Sequence, residues 1–143
     1  MGEPDTYNLT RFVEAQSSCI DAVRAELRAG RKRTHWMWYI FPQMCGLGQS
    51  TMSEHFGLSG LAEARAYFAH PVLGPRLIEC TELVLAAMPR SIEEIFGYPD
   101  NLKFHSSMTL FAEAAPGNAV FREALATFFN GERDMETLRL LAT

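Results

Sequence analysis

Four groups of side chains in this sequence have the types and spacing to do chemistry. The first is Arg28, Arg31, Lys32, Arg33 and His35, which run directly into Trp36 and Trp38 in the stretch GRKRTHWMWYIFPQ. Two readings fit. Cations at the end of a helix complement its macrodipole and stay solvated. Alternatively one of them, with Arg33 the first candidate, lies over an indole and guides an anion into an aromatic pocket. Guanidinium serves phosphate, and tryptophan serves a base or an apolar body. Single-stranded nucleic acid uses the same residue types, but a single cation cluster offers a long strand no track, so the pattern speaks against it.

The second group is GLGQS, residues 46–50. Glycines ahead of a helix start can turn backbone N–H groups toward a phosphate or carboxylate. The plainer reading is a tight turn with Ser50 capping the helix that follows. No GK[ST] follows, so this is not a Walker loop. The third group is DNLKFHSSMT, residues 100–109. On a helix, Asp100, Lys103 and Ser107 share a face, and Ser106 lies three residues from Lys103. Lys103 could anchor a ligand. With Ser106 or Ser107 it could form a base–nucleophile pair if desolvation removed its proton. Or Asp100 caps the helix, Lys103 pairs with Asp100, and the serines satisfy nearby backbone groups. The fourth group is His70 and Arg76 in HPVLGPRL. A histidine before a proline sits at a helix boundary and reads as a hydrogen-bonded structural residue.

The candidate ligand set is therefore Arg33, His35, Trp36, Gln43, Ser50, Lys103, Ser106 and Ser107. His35, Asp100 and Ser107 are the groups that could move a proton or attack. At least one tryptophan is expected in the core, because burying an indole removes ~200 Å² from water. The other is free to wall a pocket. The four histidines, 35, 55, 70 and 105, lack HExxH or similar spacing, and Cys19, Cys45 and Cys80 include no CxxC pair. No metal, no cofactor and no disulfide framework are expected.

The elements that must position these groups read as helices. Apolar residues at Leu9, Phe12, Val13, Ile20, Val23 and Leu27 mark one long amphipathic helix over 9–29, capped by Asn8 and stopped by Gly30. The aromatic stretch fits a short helix capped by Thr34 and ending near Pro42. Further helices are expected over 51–56, 59–69 and from Pro71–Pro75 to about 88. SIEEIFG carries a capping box, Ser91 with Glu94, and a glycine stop. Asp100 opens a helix over 101–112, with Leu102, Met108 and Phe111 turned to the core. Two more follow over 120–130 and after Asp134. The sum is an all-α single domain of seven or eight mostly short helices.

Bulk properties agree. A chain of 143 residues, 48% apolar and 21% charged, makes one soluble globular domain. No run reaches the ~20 apolar residues of a membrane span, and the polar start MGEPDTYNLT shows no signal-peptide pattern. A cytoplasmic location is expected. The net charge of −4 argues against a general nucleic-acid coat. The oligomeric state is left open.

Taken together, NLTRFVEAQ, ELRAGRKRTHWMWYIFPQ, GLGQS, EARAYFAHPVLGPRL, KFHSSMTLF and FFNGERDMETL resemble, in order, the bacterial domain-of-unknown-function family 1810, over residues 8–141. The resemblance implies a small, mainly helical, single-domain bacterial protein and brings no activity with it. Met44-Cys45 stands where relatives tend to carry an aliphatic and a basic residue. A second, partial resemblance is to N-glycosidases that process NAD and ADP-ribose, through an EA…Y helix and a late F…L…G segment. Two functions are therefore carried forward. One is a pocket for an anionic, nucleotide- or ADP-ribose-like molecule, with hydrolysis as its reaction. The other is a non-catalytic binding domain whose basic–aromatic surface meets protein or nucleic acid.

Overall fold

The computed structural model describes residues 5–142, so the MGEP start and Thr143 lie outside the described residues. Within them the chain is all-helical. The order is α1 (Thr10–Ser17), α2 (Ile20–Arg28), α3 (Met37–Ile40), α4 (Thr51–Phe56), α5 (Leu61–Ala69), α6 (Leu73–Ala86), α7 (Ile92–Phe96), α8 (Asp100–Ala114), α9 (Val120–Phe129) and α10 (Met135–Leu141). Ten helices thus replace the expected seven or eight. One source of the difference is the segment expected as a single helix over 9–29. It breaks at Ser18–Cys19, where Cys19 leaves helical geometry at φ −134°.

Local chemistry explains most boundaries. Asp5, not Asn8, holds the start of α1: its carboxylate accepts from the backbone N–H of Leu9 and Thr10 and from the Thr10 hydroxyl. Asn8 itself adopts a positive φ of 53°. Gly30 ends the α2 region at φ +73°, a conformation that suits a residue without Cβ. A Cβ there would also meet the Arg90 side chain at 2.6 Å. The capping box at Ser91–Glu94 forms as its spacing implies. Ser50 and Asp134 cap α4 and α10 through Ser53 and Thr137 N–H. His70 Nδ1 accepts from Val72 and Leu73 N–H, which makes it a structural cap at the start of α6.

The core is built around α8, which packs on α5, α7, α9 and α10. Residues 106–112 are buried without interruption, the pattern of a helix enclosed on all sides. Leu102 is the exception to the expected core face and is 51% exposed. Phe104 centres an aromatic cluster, with Phe41 and Phe96 each 5.0 Å away between ring centroids. Such edge-to-face and offset pairs each add ~0.5–1.5 kcal/mol beyond their buried area. At the other end Arg11 ties α1 to the α4–α5 connection. It donates to His55 O and Gly57 O and pairs with the nearly buried Glu63 carboxylate at 2.9 Å.

Candidate functional site

The site begins with two alternations of backbone geometry. Arg31 N–H closes the end of α2 on Glu26 O at 3.0 Å; beyond it residues 31–33 are non-helical and alternate in exposure. Arg31 and Arg33 face outward and are exposed. Lys32 turns inward, and its N–H bonds Ile95 O at 2.7 Å. The Lys32 ammonium reaches Asp100 at 2.9 Å and lies 5.1 Å from the Trp36 ring centre. The loop after α2 therefore folds directly against the start of α8.

The second alternation is helical. Trp36 precedes α3 and Trp38 lies within it, so the two indoles diverge although two positions apart. Trp36 is 1% exposed and packs on Phe41 and Phe96. Its indole N–H donates to Glu26 Oε1 at 3.1 Å. Trp36 is thus a core residue and not a pocket wall. Thr34, expected to cap α3, bonds the same Glu26 through its N–H and hydroxyl, and Arg33 N–H joins it at 2.6 Å. Burial acts to raise the Glu26 pKa, but the bonds from Thr34, Arg33 and Trp36 outweigh it and hold the carboxyl below its ordinary value.

Trp38 is half-buried and faces a pocket. Lys103 Nζ stands 5.0 Å from its ring centre. Met37, Phe41, Phe56 and Gly57 form the apolar walls, while Gln43, Ser53 and Lys103 supply polar groups. Its closed space is only about 10 Å³, room for roughly one water-sized group, far below the ~300–1,000 Å³ of sites that engulf drug-sized ligands. It has room for one small group. Gly57 makes the wall tight: a Cβ there would sit 2.8 Å from both Cys45 Cα and Ser53 O. Leu58 N–H to Gln43 O and Cys45 N–H to Leu58 O clamp this wall to the segment carrying Gln43. The Trp38 indole N–H is buried and has no hydrogen-bond partner among the described residues.

The structure brings some sequence candidates together and separates others. Gln43 and Lys103 line the pocket. Asp100 does not cap α8; it is shared by Lys32 and Lys103, the latter at 3.4 Å. This trio carries a net charge of +1. Ser50 caps α4 and contacts Ser53, which does line the pocket. Ser106 donates to Leu102 O and Asp134. Ser107 is fully buried, has no hydrogen-bond partner among the described residues, and is absent from the lining. Arg33 and His35 are exposed and do not line it. Trp38 and Ser53 were missing from the ligand set. The short helix expected over this stretch is present as α3, but a helical reading alone does not say which indole faces the core. Ser53 carries no sequence signal.

Burial pushes the Cys80 thiol up to about 12 and raises that of Cys19, so both stay protonated and behave as small apolar groups. Among the described residues no group of three or more His, Cys, Asp or Glu is placed to hold a metal. No helix among them is long and apolar enough to cross a membrane.

The fold and pocket define a small all-α domain with an apolar slot closed by a lysine on an indole. The chain belongs to the family described as protein of unknown function DUF1810, whose model matches residues 6–141. It is similar to the conserved hypothetical protein Rv1873 from Mycobacterium tuberculosis, known from a crystal structure at 1.38 Å. The two are 54% identical with a TM-score of 0.96, over 97% of this chain and 99% of the other. No curated protein matches the chain.

Proposed function

We propose that this domain binds a small anion-bearing molecule, with an apolar portion in the slot against Trp38 and the anionic group at Lys103. The observation that carries this reading is the Lys103 ammonium 5.0 Å over the half-buried Trp38 ring, at a pocket walled mainly by apolar residues. Asp100 neutralises one of the two lysines near it, leaving one positive charge for a ligand. Gln43 and Ser53 can orient the group that enters. A nucleotide or ADP-ribose-like molecule is larger than this pocket, so only one end of it would insert. Binding has more support than hydrolysis. His35 is outside the lining, Ser107 is sealed in the core, and Asp100 is committed to two ammonium groups.

Thermal shift with a panel of hexanoate, benzoate, inorganic phosphate, AMP and ADP-ribose tests the proposal. A ligand that binds only the folded form must raise its stability, by ~1.4 kcal/mol at about ten times Kd. The expected result is stabilisation by the carboxylates with an apolar body, lost in Lys103→Gln. No stabilisation by any member at millimolar concentration, or stabilisation unchanged in Lys103→Gln, counts against it.

A further inference from the structure

Separate from the pocket, the outward half of the 31–33 alternation builds a second surface. Arg28 at the end of α2, Arg31 and Arg33 are all exposed, and none has an ion-pair partner among the described residues. Arg90 joins them from the α6–α7 connection. It is exposed, and its side chain crosses Gly30, as the 2.6 Å approach of Arg90 Cδ to a Cβ built there shows. Two apolar side chains on the adjoining connections are unusually exposed. Met88, two residues before Arg90, is 52% exposed, and Tyr98 is 81% exposed. Tyr98 lies three residues beyond Ile95, whose carbonyl receives Lys32 N–H between Arg31 and Arg33. Nearby carboxylates are largely engaged. Glu26 accepts four inward hydrogen bonds, and Glu94 is held by Ser91 in the capping box while facing Arg90. Glu93 is an exposed acid at the patch edge.

We infer that Arg28, Arg31, Arg33 and Arg90, with Tyr98 and Met88, form a docking surface for a short acidic segment of a partner protein. Composition is the first argument. Arginine, tyrosine and methionine are the residues enriched at protein interfaces, and the outward cations here are all arginine. Guanidinium groups pair with carboxylates in bidentate fashion, which fixes orientation as well as adding attraction. Charge distribution is the second argument. With Glu26, Glu93 and Glu94 counted beside the four arginines, the patch is +1 in a chain of net −4, so −5 lies elsewhere, and the arginines are its charges without ion-pair partners among the described residues. A long phosphate strand leaving the patch would run onto a repelling surface, whereas a compact acidic segment ends within it.

The test uses fluorescence anisotropy with the full chain and three labelled probes. These are the peptide Glu-Glu-Leu-Glu-Glu-Phe-Glu-Glu, an octaglutamate and an octathymidylate. The apolar-containing peptide should bind most tightly at low salt. Arg31→Gln with Arg33→Gln should weaken it about tenfold, the scale of one charge-assisted pair, and Arg28→Gln with Arg90→Gln similarly. Tyr98→Ala should weaken this peptide severalfold and leave octaglutamate unchanged. Lys103→Gln should leave all three probes unchanged, which separates this surface from the pocket. Circular dichroism verifies that each variant is folded. Absence of peptide binding at low salt, binding indifferent to the arginine replacements, or tighter arginine-dependent binding of octathymidylate overturns the proposal.

Discussion

Trp36 and Trp38 stand two residues apart and have opposite environments. Trp36 is enclosed by Phe41 and Phe96, with its indole N–H satisfied by Glu26. Trp38 is half-exposed, carries an ammonium over its face, and has an indole N–H with no partner among the described residues. Buried polar groups are normally paired, because an unpaired one costs ~1–3 kcal/mol. The completed pairing around Trp36 therefore marks a structural residue. The unfinished pairing around Trp38, beside a pocket, marks a candidate site. Residue type alone does not separate the two.

The sharpest way to break this contrast is to remove each indole. Trp36→Ala should cost ~3–5 kcal/mol of stability, the range for deleting a large aromatic core side chain, as read by urea unfolding. A loss below ~1 kcal/mol would remove Trp36 from the core. Glu26→Ala should come next, at ~1–2 kcal/mol, because it strands the indole and releases the 33–34 backbone. Glu26 also gives a pH signature. Its pKa in the fold lies below the ordinary 4.5. Its contribution is thus complete above about that pH and is lost as pH falls through the folded value. Melting temperatures from pH 7 to 3 should fall less steeply for Glu26→Gln than for the wild type; equal slopes would deny the carboxylate this role.

Smaller effects sharpen the comparison from the other side. Ser107→Ala should be neutral or stabilising by up to ~1 kcal/mol, since it deletes a buried hydroxyl without a partner among the described residues. Loss of stability beyond that would reveal a hydrogen bond. Lys103→Gln should change stability least, by about 0.5 kcal/mol, because Lys103 is the more distant partner at 3.4 Å and Asp100 keeps Lys32 at 2.9 Å. A loss above ~2 kcal/mol by chemical denaturation would make Lys103 a structural residue instead of a ligand anchor.

Much of the fold was legible. Periodicity and capping chemistry located the helices after Thr51, and the Ser91–Glu94 box and the Asp134 cap form as their spacing implies. The misreadings share a cause: they needed tertiary partners. The apolar stripe over 9–29 continues across the break at Ser18–Cys19, so periodicity could not reveal it. Asn8 and Thr34 are suitable cap residues locally, yet Asp5 takes the N–H groups at the start of α1, and Thr34 gives its hydroxyl to Glu26 ahead of α3. Asp100 had a local role available and took a distant one with Lys32. In the pocket, Gln43 and Lys103 were visible as unusual polar residues beside aromatics. Choosing between the tryptophans required knowing which side of the expected short helix packs against Phe41 and Phe96.

The central claim is that Trp38 and Lys103 form a ligand pocket while Trp36 does not. The most direct measurement is titration of Trp36→Phe, in which Trp38 is the remaining tryptophan and is excited selectively over tyrosine, with hexanoate or benzoate. The account predicts a saturable change in emission that Lys103→Gln abolishes and that is absent from Trp38→Phe. An equal change in Trp38→Phe, or none in Trp36→Phe, would contradict it.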